Sequence, residues 1–449
     1  MEANRERTIS LLVTLVNLWL WANGSSLGQP CTMVGPSCVF DSLNLSSDGL
    51  QRLRAFGRGA APLNQINVKK LITPYPDGIM LQLVSEFVNE VVFERYYERV
   101  LRIPANAMLA DLTLRHAPET QLILVGAPNA QLVSLEITGS GIRSITDEFR
   151  KLHQLQFLIL DEGSLETLSL DPFANSTRIT NLMFTYNRIR QLIPSRNASL
   201  VLPIVDLLLG YNRLETINGD FFRPLRNLSF VTFEGNRIQR VEGRPLVLPQ
   251  LTMISFVQNQ LTQLDVSQWQ VPKLREIFLD TNNLTRIPVG IERLPSLITL
   301  VVENNLLTAV DLRRFDGWSN LGKIDLTGNR IRNVLVSGTG RVRLPNLQQL
   351  HLVNNQLSTI EFGRWDFPEL STLTLAYNRL RQLPDLFRLF PKLWRVVAVH
   401  NPLLCRNVRR LQQHIMNFKV NVDTNFFGVP CTTNATFTLP TGREICCVE

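Results

Sequence analysis

Residues 370–383 read LSTLTLAYNRLRQL. Leu370, Leu373 and Leu375 stand at the spacing L-x-x-L-x-L, and Asn378 and Leu380 follow at the spacing L-x-x-N-x-L. The order has a mechanical meaning. Residues around Leu373 and Leu375 read as a short strand whose alternate side chains point to one face. Asn378 then turns the chain, and its amide can pair backbone groups of adjacent turns that would otherwise be buried without partners.

One such match says little, but this one recurs. Asn187, Asn212, Asn236, Asn259, Asn282, Asn305, Asn329, Asn355, Asn378 and Asn401 are separated by 25, 24, 23, 23, 23, 24, 26, 23 and 23 residues. Apolar residues precede them at the template positions, as in Leu274, Ile277, Leu279 and in Leu321, Ile324, Leu326; at the last turn Ala398 takes one of these places. Earlier turns are blurred. Leu132, Leu135, Ile137 and Ile142 fit with Ser140 in the asparagine place, the next turn has Gly163 there, and Leu109, Leu112, Leu114 come before. Weaker echoes are Leu63, Ile66, Val68 and Val88, Val91, Phe93. This is the leucine-rich-repeat signature. It predicts an α/β solenoid, a leucine-rich-repeat horseshoe with a parallel concave β-sheet and about 12–13 repeats. A repeat this short leaves little chain for the return path, so short helical or irregular convex segments are expected.

The chain has 449 residues, 45% hydrophobic and 19% charged, with a net charge of +8. The basic residues are scattered, and no basic stripe with interleaved aromatics suggests nucleic acid. Arg5 and Arg7 precede an apolar run from Ile9 to Trp21, followed by Ala22, Gly24, Ser25 and Ser26. This three-part pattern reads as a signal peptide over 1–24 and an extracellular address. No other stretch is long and apolar enough to span a membrane. Sequons at Asn44, Asn175, Asn197, Asn227, Asn283 and Asn434 agree with export.

The six cysteines lie only at the ends: Cys31 and Cys38, then Cys405, Cys431, Cys446 and Cys447. In an exported chain they read as disulfide-bearing caps, over 25–62 and 404–449, with the solenoid over 63–403. Without a C-x-x-C pair and with dispersed histidines, no metal site is expected. If the ends are far apart, Cys31 pairs with Cys38. The C-terminal set can pair Cys405 with Cys446 and Cys431 with Cys447, or Cys405 with Cys447 and Cys431 with Cys446. A third arrangement joins Cys405 to Cys431 and leaves one or both of the vicinal pair for another chain. Residues 407–418 read as a short amphipathic helix over the last turn.

No catalytic motif, phosphate loop or dinucleotide fingerprint appears, so neither an enzyme nor a cofactor is expected. The informative positions lie between the core leucines, where side chains leave the concave sheet. There the chain carries Phe157, Ile159, Met183, Leu208, Phe230, Met253, Phe278 and Val301. Apolar groups on a face that could be polar mark a surface for a protein partner. Tyr186, Tyr211 and Tyr377, each beside a ladder asparagine, are further candidates because aromatics are enriched at binding hot spots.

With its signal peptide, ladder, cysteine cap and adjacent Cys446-Cys447 pair, the chain resembles the mosquito leucine-rich-repeat immune protein family. The resemblance implies a haemolymph factor in complement-like defence. Its partners would be a thioester-containing protein, another leucine-rich-repeat chain or a microbial surface. Better-known members continue into a coiled coil, whereas no heptad region follows Cys447 here, so the chain resembles the coil-less type. The competing reading is an adhesion or developmental module, or a shed receptor-like ectodomain.

Overall fold

Alternating apolar residues give each turn one short strand, and stacking the turns buries the apolar edge of every strand between its neighbours. The computed structural model describes residues 31–35, 37–53, 65–72, 78–126, 129, 131–422 and 433–449. The segment 1–24 read as a signal peptide, Leu63 and Cys431 lie outside the described residues. Eighteen described strands form a single sheet. The first two, Thr32–Val34 and Ser37–Phe40, pair antiparallel. Every later pairing is parallel and in step, as where Leu182 aligns with Leu207 and Leu207 with Val231. The protein is a leucine-rich-repeat solenoid.

The sheet reaches further than the asparagine ladder. Ser37–Phe40, Gln65–Val68, Glu90–Phe93 and Asp111–Leu114 are already parallel turns of it. The last strand, Val420–Asn421, lies beyond the final ladder residue. The return paths are short. They hold 3-10 turns such as Gly219–Phe222 and Leu312–Phe315. They also hold small parallel strand pairs, among them Thr216–Asn218 with Arg240–Glu242 and Ala309–Asp311 with Asn333–Leu335. Fully buried phenylalanines, including Phe184, Phe221, Phe233 and Phe256, fill the space between sheet and return path.

The ladder asparagines act on the backbone of the preceding turn. Asn282 Nδ2 donates to Phe256 O at 2.8 Å, and its Oδ1 accepts from Leu261 N at 2.9 Å. Asn305 does the same for Leu279 O and Leu284 N, and Asn378 for Leu352 O and Leu357 N. Each asparagine thus satisfies a carbonyl and an amide of the preceding turn. These groups are buried, and leaving one unpaired costs about 1–3 kcal/mol. Just before most of these asparagines the backbone is left-handed, with φ 52° at Tyr186, 54° at Tyr211, 55° at Thr281 and 54° at His400. That turn aims the amide inward.

Both tips carry disulfides. Cys31 is bonded to Cys38. Cys405 is bonded to Cys447, which excludes both the Cys405–Cys446 pairing and the Cys405–Cys431 pairing. Cys446 is disulfide-bonded as well. The helix Cys405–Met416 lays Val408, Leu411 and Ile415 on the end of the core. Its buried Asn407 exchanges two hydrogen bonds with the Leu383 backbone. The hairpin Ala435–Thr438 with Glu444–Cys447 brings Cys447 to the helix start.

Candidate partner-binding face

In each sheet strand the core residues point inward, so the residues flanking them stand on the outer face of the sheet. Strand register lines these up into rows. One row runs through Glu136, Ile159, Met183, Leu208, Thr232, Ser255, Phe278, Val301 and Asp325. The row beside it holds Phe157, Asn181, Asp206, Phe230, Met253 and Glu276. Ile159, Met183 and Leu208 are therefore consecutive neighbours, Phe230 abuts Met253, and Phe278 abuts Val301. Phe157 is exposed, at 40%, and Ile159, Met183, Leu208, Phe230, Met253 and Phe278 are half-buried.

Val301 departs from the sequence reading. It is only 6% exposed, because it sits in the sheet between Phe278 and Asp325 and is covered by them and their neighbours. It belongs to the floor of the face rather than to its reachable surface. Ser255 in the same row is equally covered.

Tyr186 and Tyr211 occupy adjacent left-handed positions at the rim of the strands. Their rings are stacked, parallel within 1° and with centroids 4.4 Å apart. The Tyr211 hydroxyl donates to Glu234 Oε1 at 2.8 Å. That carboxylate and the partial burial push its pKa up to about 12. Tyr377 and His400 repeat the stacking further along, with centroids 4.2 Å apart. His351 lies on the face, its Nδ1 2.8 Å from Thr374 Oγ1, and burial holds its pKa below the usual imidazole value.

Around the apolar groups runs an acidic frame that hydropathy alone does not reveal. Glu90, Asp111, Glu136, Asp161, Asp206, Glu276 and Asp325 fall at outward strand positions, and Glu234, Asp280 and Glu303 lie two residues beyond a strand's last outward residue. Among the described residues, Lys69, Arg115, Lys323 and Arg395 are the basic ones there. A chain of net charge +8 thus presents an acidic sheet face. Reading the outward positions for sign as well as for hydropathy would have found it. Burial pushes Asp280 up to about 6, with the Glu303 and Asp325 charges adding to the shift. Burial and, secondarily, Glu90 also raise Asp111.

Among the sequon residues, Asn175, Asn197, Asn227, Asn283 and Asn434 are exposed. Asn44 is half-buried, with its Oδ1 accepting from Ser46 N. Among the described residues no helix is long and apolar enough to cross a membrane, and no cluster of three or more potential ligands is placed to hold a metal.

Residues 272–331 and 295–357 match the family described as "Leucine rich repeat", and residues 345–388 match "Leucine Rich repeats (2 copies)". The leucine-rich-repeat domain of the mosquito protein APL1 is similar at 17% identity and a TM-score of 0.55, over 92% of this chain and 98% of that one. The corresponding domain of APL1B matches at 20% identity and 0.51, over 70% and 94%. A leucine-rich-repeat protein from Bacteroides thetaiotaomicron matches at 14% and 0.56, over 80% and 51%. At these identities the likeness is one of fold.

Proposed function

We propose that this protein is a secreted, non-enzymatic scaffold that binds a protein partner through the outer face of its sheet. The observation that carries the reading is the register-aligned apolar patch of Ile159, Met183 and Leu208, with Phe157, Phe230 and Met253 beside it. Half-exposed apolar side chains in adjacent turns lower their free energy when a partner covers them. The carboxylates around the patch select a partner whose contacting surface is basic, since a like-signed one would be repelled. Innate immune defence is the proposed setting, and it rests on the resemblance carried by the signal peptide, the ladder and the Cys446-Cys447 pair.

Haemolymph proteins retained by the immobilised protein, compared with those retained by a Met183→Asp/Leu208→Asp variant, test the reading. A partner lost in the variant, with the circular dichroism and melting temperature unchanged, is the expected outcome. A partner retained equally by both would reject the sheet face as the binding surface.

A further inference from the structure

Behind the sheet, on the return path, lies a cavity of about 280 Å³ that takes no part in the face described above. It is lined by Asp220, Arg223, Arg226, Arg244, Pro245 and Val247, among others. Three arginines and one carboxylate line it. Arg244 Nε lies 3.2 Å from Asp220 Oδ1, which leaves the other two without a carboxylate in the cavity. Arg223 is fixed in place, its Nη2 donating to Ser195 O at 2.9 Å and to Asn197 O at 3.4 Å. Its Nε is buried and has no hydrogen-bond acceptor.

The walls are held by backbone packed too closely for side chains. A Cβ on Gly219 would overlap Arg244 O. Gly243, at φ 78°, has Asn218 and Asp220 where its own side chain would go. Asn218 Oδ1 in turn accepts from Asp220 N at 2.9 Å. The arginine-bearing loop 243–247 is therefore pinned against the turn 218–223, and the hollow is a fixed shape rather than a gap between loose loops.

We propose that this cavity is a binding site for a small organic acid group, a carboxylate or sulfate carried on a single ring of about the size of a sugar. Guanidinium groups pair with such oxyanions through charge-assisted, often bidentate hydrogen bonds. The volume lies at the lower end of ordinary ligand pockets, room for one ring and its acid group. Pro245 and Val247 offer a short apolar wall for the ring. The ring can be a free metabolite or the terminal unit of an acidic polysaccharide; both present the same chemistry to the cavity.

The test uses the full chain and titration calorimetry with three probes: sodium sulfate, glucuronic acid and a heparin-derived hexasaccharide. The variant is Arg226→Gln/Arg244→Gln, which changes two exposed side chains and spares Arg223. The control is Arg330→Gln/Arg379→Gln, which removes the same charge elsewhere on the surface. Glucuronic acid or the hexasaccharide binding roughly tenfold more weakly to the variant, and normally to the control, is the expected result. Glucuronic acid binding points to a free acid, and hexasaccharide binding alone points to a polysaccharide end. Equal loss in variant and control would overturn the site in favour of general basic charge. So would sulfate matching the ring-bearing probes, or no probe binding at all.

Discussion

The rings of Tyr186 and Tyr211 lie face to face, parallel within 1° and 4.4 Å apart, each carried on a left-handed residue one position before a ladder asparagine. The next turn has Gly235 in that place, at φ 67°, and a Cβ there would lie 2.5 Å from Tyr211 Cδ1. The stack therefore ends where a residue without a side chain lets Tyr211 lie flat. Gly235→Ala should cost about 1–2 kcal/mol in chemical denaturation. In a Tyr211→Ala background the cost should shrink, because only the backbone part remains. An equal cost in both backgrounds would show that the ring contact contributes nothing.

Asn282→Leu removes the acceptor of Leu261 N and the donor to Phe256 O at the middle of the ladder. Both orphaned groups are buried. A loss of about 2–4 kcal/mol in urea denaturation is expected. Asn283→Leu, one residue away and exposed, should cost less than about 0.5 kcal/mol. Similar losses for the two would remove the ladder from the account of stability.

Asp280 carries a pH signature whose sign follows from its raised pKa, from 3.8 to about 6. The folded state holds a proton that the unfolded state has released, so stability from this group falls as pH rises from about 4 to 6. Above that window the ionised carboxylate is a fixed cost. Asp280→Asn should therefore stabilise the protein near pH 7.5 by about 1 kcal/mol, allowing for solvent screening at a partly open site, and by nothing near pH 3.5. Thermal melts at the two pH values check this; an unchanged melting temperature near pH 7.5 would contradict it.

The bond from Cys405 to Cys447 ties the capping helix to the end of the chain across 42 residues. With Cys446 also bonded, the purified protein should run as a monomer on a non-reducing gel. Cys447→Ser should lower stability by roughly 3–4 kcal/mol and free the last hairpin to proteolysis. A reductant-sensitive dimer of the unmutated protein would show that these cysteines serve a second chain.

The ladder was legible because its two requirements, apolar residues at alternate inward places and an amide at the turn, each restrict residue type strongly. The first turns were blurred because strands such as Gln65–Val68 and Glu90–Phe93 stack without a ladder asparagine to mark them. The left-handed row was not legible, since Tyr186, Thr281 and His400 hold that conformation through their context and against their own preference. For the candidate face, register decides what spacing cannot: Met183 and Leu208 are neighbours on one surface, whereas Val301, identical in its place in the repeat, is covered by its neighbours.

On the proposed function, a partner sits on the sheet face at Ile159, Met183 and Leu208. A photo-cross-linking side chain carried at position 208, compared with one at the exposed return-path position Gln268, tests it most directly. Irradiation in haemolymph should give a discrete adduct from position 208 that excess unlabelled protein suppresses, and none from position 268. An adduct from position 268 with none from position 208 would place the partner on the opposite side of the solenoid and overturn the proposed binding face.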